Sequence, residues 1–190
     1  MQQPSLAQQK HTARLEARAR LLPVTPEQTK FWGWLMLQHL QALPVWRTAR
    51  TVMCYMSCAK EPDTTALLQA VLGSGRTLCL PRQQELPGHM EALKVAALFA
   101  LQPGPHGILE PPKGLPVAEP EQIDLVVAPC LAAAPGGVRL GHGGGYYDRF
   151  LTRVRGSTAV FCPDLAVFPS LPCGPLDVPV DLVITEKGVL

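Results

Sequence analysis

Residues 139–149, Arg-Leu-Gly-His-Gly-Gly-Gly-Tyr-Tyr-Asp-Arg, constrain this chain more than any other stretch. They follow an apolar run at 123–128 and precede a segment, 147–154, able to form a helix. A glycine run in that setting lets backbone N–H groups turn inward and approach an anion closely, and a helix start adds favourable partial charge. A plain Gly-rich turn satisfies the same spacing. The flanking residues favour the anion: Arg139 and Arg149 supply cations, and Asp148 supplies an oxygen of the kind a nucleotide's Mg²⁺ takes. The stretch reads as a nucleotide-phosphate loop.

The segments around it alternate. Residues 5–22 have helical spacing, and Pro23 ends them. Thr25, Pro26 and Gln28 open a second helix as N-cap, first-turn proline and capping-box partner, and its Phe31, Trp32 and Trp34 predict packing on a sheet. A strand at 51–56, a helix capped by Asp63 or Thr64 and closed by Gly73-Ser74-Gly75, and a strand at 76–80 stopped by Pro81 have the length of a parallel crossover. Residues 81–122 are rich in Pro and Gly, with an apolar piece at 93–101 and a turn at Pro103-Gly104-Pro105. Strands resume at 123–128, 158–162 and 181–185, the last after a proline-rich connection. Strands that are continuously apolar and alternate with helices predict an α/β protein with a mostly parallel sheet. Such sheets collect ligands beyond the carboxyl ends of their strands, where the glycine loop falls. Residues 1–190 are expected to form one domain, with 1–45 as helices packed on the sheet.

Apolar content of 47% against 17% charged residues excludes a disordered chain. A net charge of +2, with no basic cluster beyond Arg14, Arg18 and Arg20, gives no support for a nucleic-acid partner. Apolar windows break well short of a membrane span, and Gln, Lys, His and Arg occupy the N-terminus where a secretory signal has an apolar block. A cytoplasmic protein acting as a monomer is the expectation. The six cysteines form no Cys-x-x-Cys pair, and Cys54 and Cys58 lack partners for a zinc set, so buried thiols are expected in place of disulfides or metal.

Three smaller groups stand out. Lys10 and Arg14 share one face of the first helix, Glu61 follows a strand where a sheet presents ligand-binding groups, and Asp181 begins the last strand. Each alone has a plainer reading as a solvated charge. With the glycine motif they resemble one family. The pattern Arg-Leu-Gly-x-Gly-x-Gly-Tyr-Tyr-Asp at 139–148 looks like the signature of the 5-formyltetrahydrofolate cyclo-ligases, and weaker matches run nearly end to end in the family's order. They include Lys-x-x-x-Arg at 10–14, the Ser-x-x-x-Glu-x-Asp-Thr segment at 57–64, Gly-Ile-Leu-Glu-Pro at 107–111 and the closing Asp-x-Pro-x-Asp-x-x-x-Thr-Glu at 177–186.

That resemblance implies a three-layer α/β/α fold, similar to sugar-phosphate isomerase and CoA-transferase architectures. It implies an enzyme that uses ATP and Mg²⁺ to turn 5-formyltetrahydrofolate into 5,10-methenyltetrahydrofolate, ADP and phosphate. By motif, Lys10, Arg14 and residues Arg139, Leu140, Gly141, His142, Gly143, Gly144, Gly145, Tyr146 and Tyr147 contact ATP. Arg139, His142 and Tyr146 take catalytic roles, and Asp148 with Asp181 holds Mg²⁺. Met56 and Glu61 line the folate site, which residues 142–146 also face. The chain departs from the family at Ala133-Ala134, where Phe-Asp is common, at Leu176, where His often stands, and at His142, usually Tyr or Arg. Residues 90–99 also carry Ala and Leu where aromatics are frequent. These departures leave open a second reading: a cyclo-ligase-like paralogue that binds nucleotide or folate without this turnover, in a regulatory role.

Overall fold

The computed structural model describes residues 4–104 and 107–190. Its first helix, α1 (Leu6–Leu21), starts at a capping box in which Ser5 Oγ accepts from the Gln8 N–H and Gln8 Oε1 from the Ser5 N–H. Thr25 and Gln28 repeat that arrangement at α2 (Pro26–Ala42). Leu43, extended as a residue before proline tends to be, separates it from α3 (Pro44–Thr48).

The unit β1 (Thr51–Met53), α4 (Thr65–Gly73), β2 (Thr77–Gln83) follows, with β1 parallel to β2. Strand β2 runs on through Pro81, where the sequence predicts a stop. The β1 ladder ends at Cys79, so Pro81 has only one neighbouring strand, a position that tolerates a residue with no N–H. The Pro/Gly-rich stretch also holds more order than its composition suggests. Strand β3 (Met90–Val95) pairs antiparallel with β2, a two-residue pair joins β4 (Gln102–Pro103) to β5 (Leu109–Glu110), and β6 (Val117–Ala118) adds to β3. Pro105, part of the expected turn, lies outside the described residues.

The chain then crosses back. Strand β7 (Leu125–Ala128) pairs parallel with β1, a hairpin of β8 (Ala132–Ala133) and β9 (Arg139–Leu140) leads to α5 (Tyr146–Leu151), and β10 (Ser157–Phe161) and β11 (Leu182–Thr185) continue the parallel run. Strand β12 (Gly188–Val189) closes that edge antiparallel, giving the order β12-β11-β10-β7-β1-β2-β3-β6.

Both faces of this sheet are covered, which explains strands without polar alternation. Val52, Leu78, Leu125, Val127 and Phe161 face a cluster with Met36, Leu40, Leu67 and Val71 of α2 and α4. Met53, Cys79, Val126 and Val160 face the opposite cluster with Leu21, Phe150 and Leu151 of α1 and α5. Three layers result: helices, sheet, helices. From β1 the chain proceeds to β2 on one side, and from β7 to β10 on the other. The switch point of the sheet therefore lies between β1 and β7.

Candidate active site

Beyond the carboxyl ends of β1 and β7 lies a cavity of about 1070 Å³. One wall is the strap after β1. Glu61 N–H donates to Cys58 O in a tight turn that forces Lys60 to φ +73, a left-handed conformation costly for a residue with a side chain. The Lys60 ammonium offsets that cost by donating to the carbonyls of Leu22 and Val24 in the link between α1 and α2. Thr64 fixes the far side, its hydroxyl donating to Tyr55 O while Asp63 N–H donates to Thr29 O of α2. The turn holds Glu61 buried, with Oε2 accepting the Cys58 N–H at 2.7 Å and Oε1 3.1 Å from His142 Nε2.

The opposite wall is the glycine loop. Gly143 (φ +112) and Gly145 (φ +68) need the conformational freedom of glycine, and Gly145 caps α5. Arg149 reaches back from α5, donating to Gly88 O and Gly144 O. Tyr146 closes toward β2 through its hydroxyl, which donates to Gln83 Oε1 at 3.3 Å.

Helix α1 forms the cationic rim. Its Ala17 packs into a small cluster with Leu131, Leu140 and Phe168, and Arg20 lies 4.0 Å over the Phe168 ring. That docking brings Arg14 Nε to Gly141 O at 2.9 Å and Lys10 Nζ to both oxygens of Asp177 at 2.5 Å. Arg139, only 3% exposed at its side chain, donates to Asp148 Oδ1 at 2.8 Å, an oxygen that also accepts the Val178 N–H. Burial pushes the Asp177 carboxyl up, but hydrogen bonds from Lys10 and the Gly174 N–H, with the charges of Lys10 and Arg139, outweigh it. The net shift is below the ordinary carboxylate range.

Lys10, Arg14, Met56, Glu61, Arg139 and the whole stretch from Leu140 to Asp148 line this one cavity. Asp181 does not. It stands exposed at the amino end of β11, where its Oδ2 accepts from the Thr158 N–H and hydroxyl. A residue that opens a parallel strand sits at the edge opposite the ligand side. The expected pairing of Asp148 with Asp181 is therefore corrected: the second aspartate lining the cavity is Asp177, carried there by the connection from β10 to β11. Sequence reasoning also missed Tyr55, Gln83 and His89 on the cavity wall, while Arg149, read as a flanking cation of the glycine loop, does line it. Ala133 and Ala134 are buried in and beside the β8–β9 hairpin and do not line the cavity.

Residues 6–186 match the 5-formyltetrahydrofolate cyclo-ligase family. The chain belongs to that family. Its members are enzymes, as the names of curated relatives state. A 5-formyltetrahydrofolate cyclo-ligase of Mycolicibacterium smegmatis is 31% identical over 149 residues, covering 74% of this chain and 75% of that one. The Escherichia coli K12 5-formyltetrahydrofolate cyclo-ligase is 27% identical, covering 90% and 97%. The NMR structure of Aquifex aeolicus 5,10-methenyltetrahydrofolate synthetase superposes with a TM-score of 0.83 at 30% identity, over 95% of this chain and 91% of that one. The sheet order and the helices on both of its faces are thus this cyclo-ligase's version of a shared fold. Among the described residues no helix is long and apolar enough to cross a membrane.

Proposed function

We propose that this cyclo-ligase converts 5-formyltetrahydrofolate to 5,10-methenyltetrahydrofolate, consuming ATP with Mg²⁺ and releasing ADP and phosphate. One observation carries the reading. A single cavity is lined at once by a cationic glycine loop with two carboxylates and by an apolar wall holding one buried carboxylate, Glu61. Phosphoryl transfer between two substrates needs both in one enclosure.

A formamide oxygen is a poor leaving group. In this scheme it takes the γ-phosphoryl of ATP, N10 attacks the activated formyl carbon, and phosphate departs as the ring closes and the N10 proton is lost. Lys10, Arg14 and Arg139 neutralise the triphosphate, and the small glycines let its oxygens approach the backbone. The Mg²⁺ fit is good: Asp148 and Asp177 give two carboxylates beside the phosphate loop, a common protein contribution to a nucleotide-bound magnesium. When bound there, the ion would neutralise charge on the phosphate oxygens. Met56 gives the folate an apolar contact, and Glu61 accepts from its ring N–H groups. Tyr146 and His142, on the loop between the two halves, narrow the cavity around the transferring group and keep water from it.

Purified protein mixed with MgATP and 5-formyltetrahydrofolate should generate the methenyl chromophore in the near ultraviolet. Folded protein that binds nucleotide but forms no chromophore refutes the reading and returns the regulatory paralogue as its replacement.

A further inference from the structure

The proposed reaction moves a proton as well as a phosphoryl group. N10 carries a hydrogen before the ring closes and none afterwards. Phosphate departs with the formyl oxygen and ends as hydrogen phosphate, so the proton lost balances the proton gained. A group that accepts from N10 and then donates to the departing phosphate completes the cycle unchanged.

The cavity wall limits which group that is. Lys10, Arg14, Arg139 and Arg149 are cations with no lone pair to accept with. Asp148 and Asp177 are paired with Arg139 and Lys10 and, in the reading above, take the metal. Two histidines line the wall, His89 and His142. Among the described residues His142 is the one with a carboxylate at its ring: Nε2 lies 3.1 Å from Glu61 Oε1. Glu61 is 8% exposed at its side chain and fixed through Oε2 by the Cys58 N–H, whereas the imidazole is 54% exposed and open to a ligand. A carboxylate accepts, so Nε2 carries the hydrogen and Nδ1 keeps its lone pair.

The surrounding charges suit a proton that is taken up and then passed on. Glu61 is already in place to stabilise an imidazolium. Against it stand Arg14 of α1, whose guanidinium a Cβ on Gly143 would meet at 3.7 Å, and Arg149 of α5, which donates to Gly144 O. His142 also stands where the two substrates would meet, since it belongs to the phosphate loop yet contacts the carboxylate of the folate wall.

Building on the cyclo-ligase reading above, we propose that His142 carries the N10 proton to the departing phosphate while Glu61 holds its ring. The bond from N10 to the formyl carbon forms, and the N10 hydrogen passes to Nδ1. The bond from that carbon to the phosphate oxygen breaks, and the proton moves from Nδ1 to the phosphate. The imidazole ends neutral, as it began. Tyr or Arg is usual at this position in the family, so the route is particular to this chain, and its loss slows ring closure without abolishing it.

Single-turnover formation of the methenyl chromophore reads the chemical step in His142→Gln and His142→Ala. A glutamine amide still donates to Glu61 but takes up no proton near neutral pH; alanine loses both properties. Each variant should slow the step about 100-fold, with 5-formyltetrahydrofolate affinity unchanged in the glutamine variant. Added imidazole should restore part of the rate to the alanine variant, rising with its concentration, and none to the glutamine variant, whose side chain fills the space. Wild-type speed in the glutamine variant overturns the proposal and leaves His142 as a tether for Glu61. A slow alanine variant that imidazole does not rescue overturns it as well. Wild-type protein that forms no chromophore defeats the cyclo-ligase reading itself, an outcome distinct from both.

Discussion

Lys10 and Asp177 stand 167 positions apart in the chain, yet the Lys10 ammonium donates to both oxygens of the Asp177 carboxylate at 2.5 Å. Both side chains are less than one-fifth exposed, at 19% and 18%, so water screens the pair only in part. Without ligand, a cation suited to nucleotide phosphate and a carboxylate suited to its metal neutralise one another. Under the proposed function, binding of nucleotide and metal would exchange that internal pair for two external ones.

The pair has a pH signature. The Asp177 carboxyl is held below its ordinary value of 3.8, so the stability it contributes is complete above that value. It is lost as pH falls through the lowered folded-state value. Lys10→Met should flatten this acid limb, read as melting temperature against pH between about 2 and 5. It should also weaken ATP binding roughly tenfold, the worth of one charge-assisted hydrogen bond. An unaltered acid limb would show that the ion pair contributes nothing in solution.

Asp148→Asn and Asp181→Asn separate the two carboxylates that the family resemblance assigns to one metal. Asp148 lines the cavity and Asp181 does not. The first change should lower Mg²⁺-dependent turnover about 100-fold or more, and should also lower the melting temperature because the buried Arg139 loses its charged partner. The second should leave kcat intact and cost about 1 kcal/mol through the weakened bonds to Thr158. Equal turnover in the two variants would refute the placement of the metal beside Asp148.

The contrast between Asp177 and Asp181 shows what could be read in advance. The glycine loop, Glu61 and the Lys10/Arg14 face carry local signals, because phi-positive glycines, strand ends and i, i+4 spacing are all legible along a chain. The α/β class followed from apolar strands covered on both faces. Asp177 reaches the cavity through a long connection whose path depends on packing, not on neighbours in sequence. Strands β3 to β6 were obscured for a related reason. They are short, interrupted by Pro and Gly, and specified by pairing between strands: β3 with β2, β6 with β3, and β4 with β5.

Thiol chemistry offers a test of the burial pattern. Cys173 is exposed, while Cys54, Cys79, Cys130 and Cys162 are buried. Cys58 lines the cavity, but burial first and then the Glu61 charge push its thiol up to about 11, so little thiolate exists near neutral pH. Iodoacetamide near neutral pH should therefore label Cys173 first and the native protein only once, as mass spectrometry of the intact chain would read. Early modification of Cys58 would show that the strap after β1 opens in solution. In that case Glu61 would not be held as buried as its bonds to Cys58 and His142 imply.

Gly136 and Gly137 provide the most local test of how the Asp177 segment is held. Both have positive φ, +84 and +83, so alanine at either position carries the same backbone strain, about 1–2 kcal/mol. Their surroundings differ. A Cβ on Gly136 meets nothing within 4 Å, whereas one on Gly137 falls 1.8 Å from Val180 O. Gly137 O accepts the Val180 N–H at 2.9 Å, so the β8–β9 turn and the residues just past Asp177 lie backbone to backbone. Gly136→Ala should therefore lose only the strain, with MgATP affinity unchanged. Gly137→Ala must displace the segment that carries Asp177, and should cost about 3 kcal/mol or more while also weakening MgATP binding. Unfolding in denaturant gives the first quantity and calorimetric titration the second. If the two variants behave alike, the close approach at Val180 does not position Asp177, and its place in the cavity must be fixed by Lys10 and the Gly174 N–H alone.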